Sequence, residues 1–429
     1  MRLRCFPSIT GAALIAVLCL GPVSAPGLTY KLTVSAGRHD RHNTPVCVVL
    51  CESEVQANLN PVLLGKARGV TLTDSRGKRL PAQLTGPGLL EPVPPGVVVR
   101  ELHFILPELR RGESLELKAE LGPEAPAAEG FRWHDNAGMY AELRYGDRAV
   151  IRYMYEALDS SSPEARQRTY KVFHHLYDPA GTRLVTKGPG GLYSHHRGLF
   201  YGFNRISYAD VARADLWGCS GGAYQSHEAF LSQEAGPVLG RHCVRIDWHG
   251  PDQRVFATER REMTVYAPAG GHLVEFASRL ESTVGPVRLD GDPQHAGFQF
   301  RAAQEVADGD QKRTWFLRPD GRGKPGETRN WNKQNPDPRT VNLPWNAMSF
   351  VIGGVRYTAV YLDKPTNPKE ARYSERSYGR FGSYFEYDLE RDRPLVVNYR
   401  LWLQEGEMTV AQAAALSADF IEPPKVLVH

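Results

Sequence analysis

Apolar and polar positions alternate with a period of two along most of the chain, which is the spacing of half-buried β-strands. From residue 28 to about 121 the alternating runs are short. "LTYKLTVSA", "PVCVVLCE", "GVTLTDSRG", "VVVRELHFILPEL" and "ESLELKAEL" are separated by Gly, Pro, Asp and Asn turn signals. That pattern predicts an Ig-like β-sandwich module over residues 26–121. "GPEAPAAEG" at 122–130 is rich in Pro and Ala, lacks periodicity and reads as a linker. Residues 131–429 return to β patterning in longer segments, with a two-residue hairpin signal at Gly146-Asp147 inside "YAELRYGDRAVIRYMYE". Some ten or more strands without helices between them predict a large antiparallel β-sandwich. One helix is expected, in "TVAQAAALSADF", where Thr409 and Gln412 have capping-box spacing. The predicted class is therefore all-β: a small N-terminal β-sandwich, then a large antiparallel one with a C-terminal helix.

The first 25 residues stand apart from this pattern. Arg2 and Arg4 precede the apolar run "ITGAALIAVLCLGPV", and "VSA" ending at Ala25 resembles a cleavage site. This reads as a signal peptide, so the mature chain is expected in the periplasm or outside the cell, with no later membrane span. Losing the two arginines takes the formal charge from +4 to about +2, too balanced for a nucleic-acid footprint. Four cysteines follow the leader: Cys47, Cys51, Cys219 and Cys243. Cys47 and Cys51 lie on one strand about 13 Å apart, too far to bridge. A Cys219–Cys243 disulfide and buried free thiols both remain open.

Alternation also sorts the candidate chemistry. In "QHAGFQFRAA", His295, Gly297, Gln299 and Arg301 share one strand face, and Ala296, Phe298, Phe300 and Ala302 the other. One face is core-like; the other carries an imidazole, an amide and a guanidinium, with a glycine opening room for a close approach. In "YSHHRGLFYGFN" an extended chain puts His196, Gly198, Phe200 and Gly202 on one face and His195, Arg197, Leu199 and Tyr201 on the other. The two histidines then serve different roles unless "GPGGLYS" bends the chain, and Gly198 and Gly202 clear space beside His196.

Three further features add candidates. His227 follows "GGAYQS". Trp331 stands in the polar stretch 305–344, read as a long loop and either an anchor or a stacking platform. "LDKPTNPKEARYSERSYGRFGSYF" brings Asn367, Arg376 and Tyr378 to a loop leaving a strand. Arginines here, with Arg197 and Arg301, suit an anionic ligand such as a uronate or sulfated sugar. The serine-nucleophile, dinucleotide and P-loop motifs are missing, and "GCSGG" around Ser220 lacks G-x-S-x-G. No zinc-type histidine spacing occurs, so no cofactor is expected, with a divalent metal held by the scattered histidines as the alternative.

"HHRGLFYGFN", "DLWG" at 215–218, "DPQHAGFQFR" and "LDKPTNPKEARYSERSYGRFG" together make residues 165–405 resemble the PmoA-like family. The chain departs from that pattern at "LDKPTNP", where a histidine commonly follows the aspartate. The resemblance implies a supersandwich similar to galactose mutarotases and a carbohydrate context; it transfers no catalytic residue. The leading expectation is an exported hydrolase, lyase or epimerase acting on an anionic sugar. His195, His196 and His295 would move protons, and Arg197, His227, Gln299, Arg301, Trp331, Asn367, Arg376 and Tyr378 would bind substrate. The alternatives are a non-catalytic glycan-binding protein and a histidine-ligated metal enzyme.

Overall fold

The computed structural model describes residues 28–53, 64–123, 129–292 and 295–429. The predicted signal peptide and most of the predicted linker lie outside these residues. The all-β class is confirmed. Leu28–Ser35, Ser114–Gly122 and Gly69–Asp74 form the centre of a five-stranded sheet that faces a three-stranded sheet of Arg41–Ser53, Val97–Leu109 and Ala82–Thr85. Leu32, Val34, Val46, Val48, Leu102, Phe104, Leu117 and Ala119 fill the space between them. Each is an alternate position of its strand, so the period-two pattern builds this core directly.

The domain boundaries read from the sequence need one correction. Lys425–Val428 is not part of the large sandwich. It pairs antiparallel with Leu28–Ser35 at the edge of the N-terminal sheet. A strand of four residues at the far end of a chain gives no sequence sign of its partner.

The large sandwich packs an eight-stranded sheet on a nine-stranded one. The nine-stranded sheet runs as an antiparallel meander from Tyr224–Ala235 through His272–Ser282, then through Leu395–Glu405 to Trp345–Ile352 and beyond. The eight-stranded sheet holds, side by side, Arg372–Arg376, Arg380–Tyr384, Ala296–Arg301, Leu199–Phe203, Phe173–Leu176 and Arg148–Met154. Phe298, Phe300, Leu199, Tyr201, Phe203, Phe381 and Tyr373 point into the shared core against Phe276, Phe350, Tyr361 and Tyr399. The alternation read in "HAGFQFRAA" is thus correct: the phenylalanines are core, while Gln299 and Arg301 face away from it.

Helix content exceeds the single element expected. Val410–Ile421 is present, with the Thr409–Gln412 capping box formed on both sides. Two short helices, Pro163–Thr169 and Gln304–Asp308, join it. The stretch 305–344 is not one loop, because Trp315–Arg318 adds to the nine-stranded sheet and short 3-10 turns divide the remainder. The four described cysteines are free thiols, so a Cys219–Cys243 disulfide is ruled out in this structure.

Glycines at the centre of the eight-stranded sheet admit backbone rather than ligand. Gly297 has φ +81°, and a Cβ there would overlap the Ser383 carbonyl of the next strand. Gly198 at φ +48° makes way for the His174 carbonyl, and Gly202 for that of Leu216. Gly297→Ala combines a disfavoured dihedral with a collision against fixed backbone. It is expected to lower unfolding free energy by about 3 kcal/mol or more; urea unfolding checks this, and an unchanged midpoint would contradict it.

Candidate functional site

Three arginines stand in a row on the outer face of the eight-stranded sheet. Arg301 is the register partner of Arg380, and Arg380 that of Arg376. Directly opposed side chains of like charge destabilise a sheet, so this row calls for a compensating group. Arg380 donates to Gln299 Oε1 at 2.8 Å and Ser374 Oγ at 3.2 Å. Arg376 donates to Asn330 Oδ1 and, at 2.8 Å, to the Glu375 carbonyl. Arg301 uses Nη1 on the carbonyls of Ala302 and Tyr378, with the Tyr378 ring 5.0 Å from its guanidinium carbon. Its Nε and Nη2 are buried without a partner. Burial, with Arg380 beside it, pulls the Arg301 guanidinium down to about 10.

The histidine pair reaches this row through a turn. Residues 192–195 leave the extended conformation, with positive φ at Gly190, Gly191 and Tyr193, and the strand begins only at Leu199. The expected division of His195 and His196 between opposite faces is therefore wrong. Their rings touch, with centroids 4.3 Å apart. His295 lies 6.4 Å from His195, and Tyr378 lies parallel to His196 at 6.3 Å. Trp217 and Tyr193 complete the cluster.

Two lysines hold the turn by its carbonyls. Lys171 Nζ donates to the His195 and Trp217 carbonyls. Lys187 Nζ donates to those of Gly188 at 3.2 Å and His196 at 3.3 Å. Burial depresses both ammonium groups, Lys171 to about 8 and Lys187 to about 7. The histidines feel the same field. Burial, then Lys171, takes His195 to about 3; burial, then Arg380, pushes His196 well below its ordinary value. Both rings are neutral at neutral pH, and His195 Nε2 and both nitrogens of His196 lack hydrogen-bond partners.

His295 differs from this pair. Its Nδ1 is 2.9 Å from Asp292 Oδ1, and both side chains are about 40% exposed. A carboxylate on Nδ1 fixes the tautomer and leaves Nε2 as a lone-pair acceptor. A cavity of about 410 Å³ adjoins the turn, lined by Gln167, Lys171, Phe173 and Gly190 among others.

Of the residues singled out from the sequence, His195, His196, His295, Gln299, Arg301, Arg376 and Tyr378 come together. The Trp331 ring instead stacks on Arg372, 4.2 Å from its guanidinium carbon, at the other end of the strand from Arg376. Three others have their polar groups taken up by the protein itself. Arg197 is fully buried, donates to the carbonyls of Ser194, Arg168 and Gln167, and rests on Tyr170. It is a tie for the chain rather than a substrate contact. Asn367 exchanges hydrogen bonds with the Asn398 backbone and Asp363. His227 packs with Tyr153, Tyr155 and Phe230 and receives the Tyr153 hydroxyl at 3.2 Å.

Sequence reasoning missed Asp292, Lys171, Lys187, Tyr193 and Trp217 as site residues, while Arg380 stood in the same loop cluster as Arg376 and Tyr378. Asp292 stood three positions before His295. The lysines carried no signal, because their partners are carbonyls.

The chain belongs to a family of unknown function, DUF6807, whose model matches residues 140–418. The match takes in every residue of the cluster and leaves the N-terminal module outside. No curated protein matches the chain. Eighteen solved chains do. One is a protein in the glycosyl hydrolase family 38 from Enterococcus faecalis, 9% identical, with a TM-score of 0.44; the alignment covers 94% of this chain and 47% of that one. The chain thus spans about half the length of that protein, and a likeness at that TM-score informs neither the site nor its chemistry.

Burial of neutral imidazoles makes folding pH-dependent. Folded-state values are depressed for His175 and His272 to about 4, for His195 and His242 to about 3, and for His174 and His196 well below the ordinary imidazole value. Burial is the first cause in each. Unfolded, these groups take up protons near pH 6.5; folded, they do so only at lower pH. Their contribution is therefore complete above about 6.5 and is lost as pH falls toward 4, at roughly 1.4 kcal/mol per pH unit for each histidine. Urea midpoints at pH 7.5, 6 and 5 should fall steeply, and His195→Gln should shallow the slope.

Proposed function

We propose that the protein is an exported carbohydrate-active enzyme that acts on an anionic sugar by histidine acid–base chemistry. One observation carries the reading. Lys171, Lys187, Arg197, Arg301, Arg376 and Arg380 meet around the histidine turn, and their hydrogen bonds run to neutral oxygens. Carboxylates act on three of them, Asp215 on Lys171, Asp308 on Arg301 and Asp292 on Arg376, which leaves positive charge in excess. Buried cations without counter-charge are costly, and an anionic substrate supplies the missing charge.

The free Nε/Nη2 edge of Arg301 matches a planar carboxylate with two parallel hydrogen bonds. That favours a uronate over a sulfated sugar. Neutralising a uronate carboxylate acidifies the neighbouring C–H. His295 Nε2, oriented by Asp292, accepts that proton, and the electron pair either expels the β-oxygen substituent, as in a lyase, or takes a proton back on the other face, as in an epimerase. Tyr378 is placed to protonate the departing oxygen. Two-carboxylate glycoside hydrolysis is less suited, since it needs a free pair of carboxyl groups. Here Asp292 is bound to His295, and Glu375 to Arg318 and Asn346. Tyr193, exposed at 47%, offers a ring for the sugar, and the cavity by Lys171 offers room for its neighbour. Metal ligation by the three histidines fits less well, because the arginine row repels a cation.

The test is turnover of uronate polysaccharides such as alginate, polygalacturonate and hyaluronan, followed by ultraviolet absorbance of the unsaturated product and by NMR for epimerisation. His295→Asn should lower kcat by about 10²–10⁴-fold, and Arg301→Lys should chiefly raise KM. Turnover of neutral glycans alone, or wild-type activity in His295→Asn, would overturn the reading. Uronate retention without product would make it a binding protein.

A further inference from the structure

A second polar cavity, of about 300 Å³, lies at the seam between the N-terminal module and the nine-stranded sheet. Cys47 and His103 are register partners on adjacent strands of the module, and Glu101 is two residues from His103 on the same face. Their ligand atoms, Sγ, a ring nitrogen and a carboxylate oxygen, lie within 4.8 Å of one another. We propose that Cys47, Glu101 and His103 form a zinc site at this seam, with a coordination position open to the cavity.

The donor set suits the metal. One thiolate, one imidazole and one carboxylate, with space for water, is the three-ligand arrangement of an open tetrahedral zinc centre. His103 is fully enclosed. Its Nδ1 is 3.3 Å from the Tyr266 hydroxyl and its Nε2 3.1 Å from Glu101 Oε2. Tyr266 thus serves as the outer partner that orients a ligating imidazole, while Nε2, now 3.1 Å from Thr85 Oγ1 and 3.4 Å from Arg241 Nη2, is turned toward the cluster.

The charge balance also favours a cation. Glu91, Glu101, Glu262 and Glu275 line the cavity against Arg241, Lys364 and Arg400, an excess of one negative charge. Binding M²⁺ releases the Cys47 thiol proton to solvent, adding a second negative charge that the ion offsets. Arg241 now donates to Glu101 Oε2 at 2.9 Å and stands 3.4 Å from His103 Nε2, and the ion displaces it from both. Glu262 and Glu234 oxygens, each 3.8 Å from its guanidinium, are in place to receive it.

The experiment uses the full mature chain, stripped with chelator and titrated with Co²⁺, then Zn²⁺. We expect one equivalent of cobalt, a near-ultraviolet thiolate-to-cobalt charge-transfer band, and loss of that band as zinc displaces it. Cys47→Ser, at a side chain open to the cavity, should abolish the band and weaken zinc binding at least tenfold. Cys51→Ser, on the same strand face but outside the cluster, should change neither. A folded wild-type protein without the band, or equal zinc uptake by wild type and Cys47→Ser, would overturn the proposal.

Discussion

Cations answered by carbonyl oxygens, rather than by carboxylates, set the character of the large sandwich's outer face. A carbonyl satisfies an N–H donor but leaves the charge uncompensated. Elsewhere the same chain compensates in full. Arg261 and Glu259 form an enclosed pair at 2.8 Å, and Arg318 binds Glu375 through two hydrogen bonds. Around the histidine turn that compensation is withheld, and the row Arg301–Arg380–Arg376 keeps its field. The imidazoles are neutral first through burial, and the positive charge of Lys171 and the row adds to it.

The turn depends on this arrangement in return. Five carbonyls of the 188–196 segment point at ammonium or guanidinium groups: those of Gly188, Tyr193 and His196 at Lys187, His195 at Lys171, and Ser194 at Arg197. A tight turn exposes carbonyls that no strand neighbour can satisfy, and the cations satisfy them from below. The groups that hold the histidines in place are thus the groups that make the site electropositive. Positioning and electrostatics rest on one set of contacts.

That economy explains what was legible in the sequence. Alternation identified Gln299 and Arg301 as one face and Phe298 and Phe300 as core, because an edge-free strand obeys its period strictly. The same rule failed at His195 and His196, where Gly190, Gly191 and Tyr193 at positive φ turn the chain. Arg197 and Asn367 looked like ligand contacts because a polar side chain in a glycine- or proline-rich segment reads alike whether its partner is substrate or backbone. His227 was separated by the sheet itself: its strand, Tyr224–Ala235, is the outermost of the opposite sheet. Lys171 and Lys187 were invisible, since nothing in a sequence marks a carbonyl as a counterpart.

The module outside the family match is joined to this scaffold by contacts that would be costly to leave open. Gln83 Oε1 accepts both Val238 N and Leu239 N, two buried amides, and Glu262 Oε2 accepts Leu89 N. Lys425–Val428 then ties the end of the chain to its first described strand. At this seam the electrostatic logic is reversed: carboxylates outnumber cations, and Arg241 is shared among Glu101, Glu262 and Glu234. An electropositive face and an electronegative seam therefore sit on opposite sheets of one sandwich. Because the two sets of charges are separated by the apolar core, each can be altered without neutralising the other.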